Sequence, residues 1–159
     1  MRLNKESLMR LLNSLLQHLP TTTVYAHCDL PCGVYDPAQA RIEAASIYGI
    51  CKKYQDNQDA DFRARALILK EERAELVKHH LWVLWTDYFK PEHLEKFPQL
   101  HDLVWKATKA AGETKHHSDV ATAKALLDAV DEVGKVFAES KPGYDYDSVI
   151  KNTNLQIGL

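Results

Sequence analysis

Apolar residues return every three or four positions over most of the chain, and the places where that rhythm breaks mark out helices. Leu8, Leu12, Leu15 and Leu19 share one helical face, so residues 1–20 predict a short amphipathic helix that ends at Pro20. Thr21 to Ala26 follow as an extended linker. Asp36-Pro37-Ala38-Gln39 is a strong helix start: Asp36 can cap, Pro37 suits the first helical position, and Gln39 stands where a capping box needs it. Helix A is predicted from there to about Tyr54, burying Ile42, Ala45, Ile47, Ile50, Cys51 and part of Tyr54. Gln55 to Asp59 form the break. Helix B is predicted from about Asp61 to Phe89, halted by Pro91, with an apolar stripe of Phe62, Leu69, Leu76, Leu84 and Tyr88. A turn through Pro91 to Pro98 leads to helix C, about Gln99 to Ala111, with Gly112 as its C-terminal cap. Helix D begins after Ser118 and runs to about Ser140, carrying Leu126, Leu127, Val130, Val133 and Phe137. Pro142 to Leu159 shows no helical period and reads as a loose tail.

Four amphipathic helices joined by short polar connections predict an all-α, up-down four-helix bundle. Composition changes this picture little. The 159 residues are a one-domain length, and 45 % apolar with 26 % charged residues is ordinary for a globular chain. A net charge of −2 offers no basic face for nucleic acid or an anionic membrane. No run approaches the roughly 18 apolar residues of a membrane span. The N-terminus is basic and leucine-rich, and Val24-Tyr25-Ala26 ends in the small residue a signal peptidase favours. However, Asn13, Ser14, Gln17 and His18 interrupt the apolar stretch, so it makes a poor secretory signal and a cytoplasmic location is expected. Three cysteines, an odd count, point to a reducing compartment or a metal site rather than a disulfide framework.

Two of those cysteines stand close together, with a histidine, just before helix A: His27, Cys28 and Cys32. Thiolates are soft donors that select zinc, copper(I), iron–sulfur clusters or nickel. Asp29, Pro31 and Gly33 make a stiff turn that can bring both sulfurs to one point. No second Cys/His pair stands at zinc-finger spacing, and the cysteine spacing is one residue too long for a Cys-x-x-Cys redox motif. On this chemistry alone, free thiols or a disulfide stand beside a metal site as alternatives. If the chain were cut after Ala26, His27 would supply an amine and an imidazole, Cys28 an amide nitrogen and a thiolate, and Cys32 a second thiolate. Amine, amide and two thiolates make a square plane, which nickel(II) accepts and zinc does not prefer. In the uncut chain the His27 nitrogen is an amide locked to Ala26.

The stretch HCDLPCGVYDPAQARIEA, His27 to Ala44, resembles the N-terminal nickel hook of nickel superoxide dismutases. The likeness continues through RAELVKHHLWVLWTDYFKP, Arg73 to Pro91, and less closely to about Lys141. It implies a four-helix bundle preceded by a metal-binding hook, assembled as a homohexamer. It also implies a removable leader, residues 1–26, cut between Ala26 and His27 by a dedicated maturation protease. Residues 27–141 would then be the hook and bundle, and 142–159 a tail. The implied ligands of one nickel per subunit are His27, Cys28 and Cys32. Glu43 and Arg73 match the pair that holds the axial imidazole, a common device around a metal-bound histidine. Tyr35 and Tyr88 match tyrosines over the open face of the metal, Asp29 and Lys90 match polar residues near the entrance, and Pro31 matches a cis proline. The implied reaction is disproportionation of superoxide to oxygen and hydrogen peroxide by Ni(II)/Ni(III) cycling.

A non-catalytic protein that carries a soft metal on Cys28 and Cys32 is the alternative, and it would need no free amine at His27. The remaining candidates read as structural. Cys51 lies among apolar neighbours, as buried free cysteines do. Adjacent helical residues point about 100° apart, so His79–His80 and His116–His117 cannot chelate as an i,i+4 pair would. His93 and His101 read as polar surface, Trp82, Trp85 and Trp105 as core and subunit contact, and Leu69 to Lys78 as a solvated helical face.

Overall fold

In the computed structural model the chain divides into two units, Met1–Pro31 and Cys32–Leu159, and the structure describes residues 32–159. The leader, the Ala26–His27 junction, Cys28, Asp29 and Pro31 lie outside the described residues. Among the described residues there are six α-helices and no strand: α1 (Ala38–Asp56), α2 (Ala60–Val83), α3 (Pro91–Lys96), α4 (Leu100–His116), α5 (Val120–Ser140) and α6 (Tyr146–Ile157). A π-helical turn, Leu84–Tyr88, ends α2.

The four long helices close a ring in which α1 and α4 each pack against both α2 and α5. Three-residue connections join α1 to α2 and α4 to α5, which makes each pair antiparallel neighbours, as the sequence predicts for a four-helix bundle. Helix starts are fixed by short acidic side chains. Asp59 accepts the Phe62 N–H at 2.7 Å, Asp119 the Thr122 N–H at 2.8 Å, and Asp145 the Ser148 N–H at 3.1 Å. The core between the helices is built from Ile47, Val77, Leu81, Leu100, Leu126, Leu127, Val133 and Phe137, all essentially without solvent contact. Leu126, Leu127, Val130, Val133 and Phe137 form the inward face of α5 as predicted.

The inward faces of α1 and α2 differ from the predicted stripes. On α1 the buried face is Ala40, Ala44, Ala45, Ile47, Tyr48 and Cys51, and Ile42 is half exposed. On α2 it is Ala66, Lys70, Ala74, Val77 and Leu81, and Leu69 faces outward. Small residues let two helices approach closely, so alanines take the contact positions and larger apolar side chains are left outside.

Lys70 belongs to the run predicted as solvated, yet it is only 2 % exposed. Its Nζ donates to the carbonyl of His117 at 2.6 Å, the hydroxyl of Ser118 at 2.9 Å and the carbonyl of Lys115 at 3.4 Å. Burial lowers the pKa of this ammonium. The contact also explains why α4 does not stop at Gly112. The helix continues to His116, where Lys70 takes up carbonyls that the last turn leaves unpaired.

Instead of a loose tail, residues 146–157 form α6, which packs on α1 and α5. Its anchor is polar. The Arg41 guanidinium, 2 % exposed, donates from Nε to Asp131 at 2.8 Å, from Nη2 to Asn154 at 2.8 Å, and from Nη1 to the Thr153 hydroxyl. The Tyr146 hydroxyl donates to the same Asp131 at 2.9 Å, while its ring lies directly over Gly134. Burial and the Asp131 carboxylate both raise the pKa of this phenol, which keeps it a donor. The helix was hidden from hydrophobic periodicity because a charged network, rather than an apolar stripe, docks it.

Candidate metal centre

The site forms where three pieces of chain meet: residues 32–36, the π-helical turn, and the end of α5 with the loop after it. Cys32 is exposed, with the Val34 N–H 3.5 Å from its sulfur. Gly33 adopts φ +71°, a left-handed conformation that favours glycine and turns the chain immediately after the cysteine. Beyond this turn the segment is pinned from the far end of the bundle sequence. Lys141 Nζ donates to the Tyr35 carbonyl at 3.3 Å, and the Tyr144 hydroxyl donates to the Asp36 carboxylate. Asp36 also accepts the Ala38 N–H at 2.7 Å, which ties the segment to the start of α1.

Tyr35 leans on Tyr88, with ring centroids 5.7 Å apart. Tyr88 reaches this position because α2 ends in a wider turn. The Phe89 N–H donates to the Leu84 carbonyl at 2.9 Å, five residues back, and such a π-turn redirects the side chains that follow it. The Tyr88 ring is then fixed on two sides, by Phe137 at 4.4 Å and by the near-parallel ring of His93 at 5.5 Å. Ser140 gives its hydroxyl proton to the Phe137 carbonyl at 2.7 Å, so the Tyr88 phenol is the donor in its 2.9 Å bond to Ser140.

Buried Phe89 anchors the chain between Tyr88 and Lys90, and Lys90 keeps its side chain in solvent. The Lys90 N–H donates to His93 Nδ1 at 3.0 Å, which fixes that ring's acceptor tautomer. His93, predicted as plain surface, thus touches Tyr88, Phe89 and Lys90 together. Arg73 on α2 and Glu43 on α1 form an ion pair at 3.1 Å. Their side chains are 36 % and 14 % exposed, so the pair adds at most about 1 kcal/mol to stability and serves better to fix two polar groups in place.

The structure therefore brings Tyr35 to Tyr88 and Glu43 to Arg73, and it places Lys90 two residues beyond Tyr88. Cys32 is the member of the predicted ligand set that falls within the described residues. Among the described residues no three His, Cys, Asp or Glu side chains gather closely enough to hold a metal ion. The solvent-facing thiol of Cys32 is of the kind that suits a soft ion. Sequence reasoning missed the π-turn, His93, Ser140, Lys141 and Tyr144. Only His93 left a signal, a possible acceptor at the third position of a helix that starts at Pro91. The tryptophans, expected as core and subunit contact, are 40–61 % exposed on this chain, and Trp85 Nε1 donates to His101 Nδ1 at 2.8 Å.

A family profile described as nickel-containing superoxide dismutase matches residues 22–141. The chain belongs to that family. It is 54 % identical over 122 residues to the superoxide dismutase [Ni] of Streptomyces coelicolor, across 77 % of this chain and 93 % of that one. It is 55 % identical over 122 residues to the corresponding protein of Streptomyces seoulensis, with the same coverage. Among solved structures, a native nickel superoxide dismutase matches with a TM-score of 0.70 at 54 % identity, covering 72 % of this chain and 97 % of that one. A nickel-containing superoxide dismutase with nickel ligation corresponding to the oxidised state matches with the same TM-score and coverage at 55 % identity. Helix α6 lies beyond the residues that the family profile matches. No described helix is long and apolar enough to cross a membrane.

Proposed function

We propose that the chain, once cut between Ala26 and His27, holds one nickel ion through His27, Cys28 and Cys32 and converts superoxide to oxygen and hydrogen peroxide. Family membership supports the reaction, and one observation in this chain carries the site. The turn that follows Cys32 delivers Tyr35 onto Tyr88, whose ring is held by Phe137 and Ser140, while Lys141 holds the Tyr35 carbonyl. When bound, nickel supplies a one-electron couple, so that one superoxide is oxidised to oxygen and a second, with two protons, is reduced to hydrogen peroxide.

The protein's own groups have distinct tasks. Cleavage would free the His27 amine to hold the metal, and the Glu43–Arg73 pair would orient the His27 imidazole toward it. Tyr35 and Tyr88 would exclude larger ligands and order water beside the bound metal. Because Tyr88 commits its proton to Ser140, it acts there as an acceptor. Lys90, exposed at the mouth with Asp29 as its polar counterpart, raises the encounter rate of a small anion despite the acidic net charge. A homohexamer, a maturation protease and a cytoplasmic location complete the proposal. A soft-metal carrier would use Cys28 and Cys32 but gains nothing from the paired tyrosines.

The test is replacement of either thiol. Cys28→Ser or Cys32→Ser puts a hard hydroxyl where a soft donor is needed, and dismutation measured by superoxide decay should be abolished. Wild-type decay in either variant would refute the ligand assignment.

A further inference from the structure

We propose that the C-terminal segment, residues 142–159, braces the metal hook, with Tyr144 as the positioning residue that fixes the hook's exit at Asp36. The proposal rests on the reading that Cys32 is a nickel ligand. Only three residues separate Cys32 from Asp36, so a restraint at Asp36 acts within about 14 Å of the ligand even on a fully extended chain. That restraint is the bond from the Tyr144 hydroxyl to the Asp36 carboxylate. Tyr144 is itself held in place. Its ring packs edge-on against Phe137 at 5.1 Å, and Lys141 Nζ lies 5.8 Å from the ring centroid while donating to the Tyr35 carbonyl. Burial and the neighbouring carboxylate raise the Tyr144 pKa, so the hydroxyl stays protonated and able to donate.

The segment cannot drift, because α6 is tied down immediately afterwards. Tyr146 donates to Asp131, and Arg41 grips Asp131, Thr153 and Asn154 from α1. Asp36 lies two residues before α1, the helix that carries Arg41. The C-terminal segment therefore contacts the chain on both sides of the start of α1, at Asp36 and at Arg41. Both contacts come from residues after 141, where the family match ends. The brace is an element of this chain added to the shared bundle. It acts on how firmly the hook exit is held, and so on how long a bound metal stays.

The experiment uses nickel-loaded protein that begins at His27 and measures nickel transfer to a colorimetric chelator, well below the melting temperature. Tyr144→Phe keeps the ring and removes only the hydroxyl. Losing this exposed hydrogen bond to a charged acceptor should speed nickel release by about tenfold and lower the melting temperature by no more than a few degrees. Leu126→Ala is the control, since it empties a core position and removes no hydrogen bond. It should lower the melting temperature and leave the release rate at the wild-type value. Wild-type release from Tyr144→Phe, or equal acceleration by Leu126→Ala, would overturn the brace while leaving the nickel site standing. A wild-type protein that holds no nickel would overturn the site and the brace together.

Discussion

Two glycines offer a test in which the same substitution should have opposite effects. Gly134 on α5 lies under the ring of Tyr146, and an added Cβ would overlap Cζ and both Cε atoms of that ring. Tyr146 is 3 % exposed, so the ring must leave its place. Its burial is worth about 2 kcal/mol. Its hydrogen bond to the Asp131 carboxylate is worth about 1.5–3 kcal/mol. Alanine returns about 1 kcal/mol through its higher helix propensity. Gly134→Ala should therefore weaken α6 docking by about 2.5–4 kcal/mol, or about 5–15 °C in melting temperature for a chain of this size. Gly112, inside α4, has nothing within 4 Å of the same added atom and no left-handed backbone. There the substitution keeps only the propensity gain, about 1 kcal/mol of added stability. Thermal melting read together with limited proteolysis of residues 142–159 checks both. If Gly134→Ala keeps wild-type melting and wild-type protease resistance, the docking of α6 through Tyr146 is wrong.

Two further changes probe the ends of the site. Asp145 caps α6 through Ser148, whose hydroxyl and N–H hold the aspartate pKa below its usual value. A depressed carboxyl contributes stability above its unfolded pKa near 3.9 and loses it as pH falls through the folded value. Acid unfolding curves should therefore show α6 weakening below about pH 4, and Asp145→Asn should flatten that dependence; an unchanged pH profile in the variant would contradict the cap. His93→Ala removes the acceptor for the Lys90 N–H and the ring stacked on Tyr88, so superoxide decay should slow several-fold. Glutamine can accept at the same helix position, so His93→Gln should recover most of the rate, and full activity in His93→Ala would show that His93 plays no part.

Periodicity revealed what depends on one helix facing one core. Helix α5 was legible because Leu126, Leu127, Val130, Val133 and Phe137 are both its most apolar residues and its buried face. The inward faces of α1 and α2 were read only in part because alanines and Lys70 occupy many of their contacts, and no local pattern announces a buried lysine whose partner is 47 positions away. The same limit hid α6, whose anchor joins Arg41 to Asn154 across 113 positions. At the site, the residue types before and after Cys32 were legible as a hook through family resemblance. The framework around them was not. A π-turn differs from an α-turn by one residue of hydrogen-bond offset, and Ser140, Lys141 and Tyr144 come to Tyr88, Tyr35 and Asp36 only through the closed bundle.

Superoxide decay after a radiolytic pulse tests the central claim most directly, comparing nickel-loaded protein that begins at His27 with the same protein retaining Ala26. The one added residue converts the His27 amine to an amide and leaves every contact described after Cys32 untouched. Catalytic decay by the chain beginning at His27, lost when Ala26 is kept, is the predicted result. Equal activity in the two chains, or none in either, would contradict a nickel dismutase built on the His27 terminus.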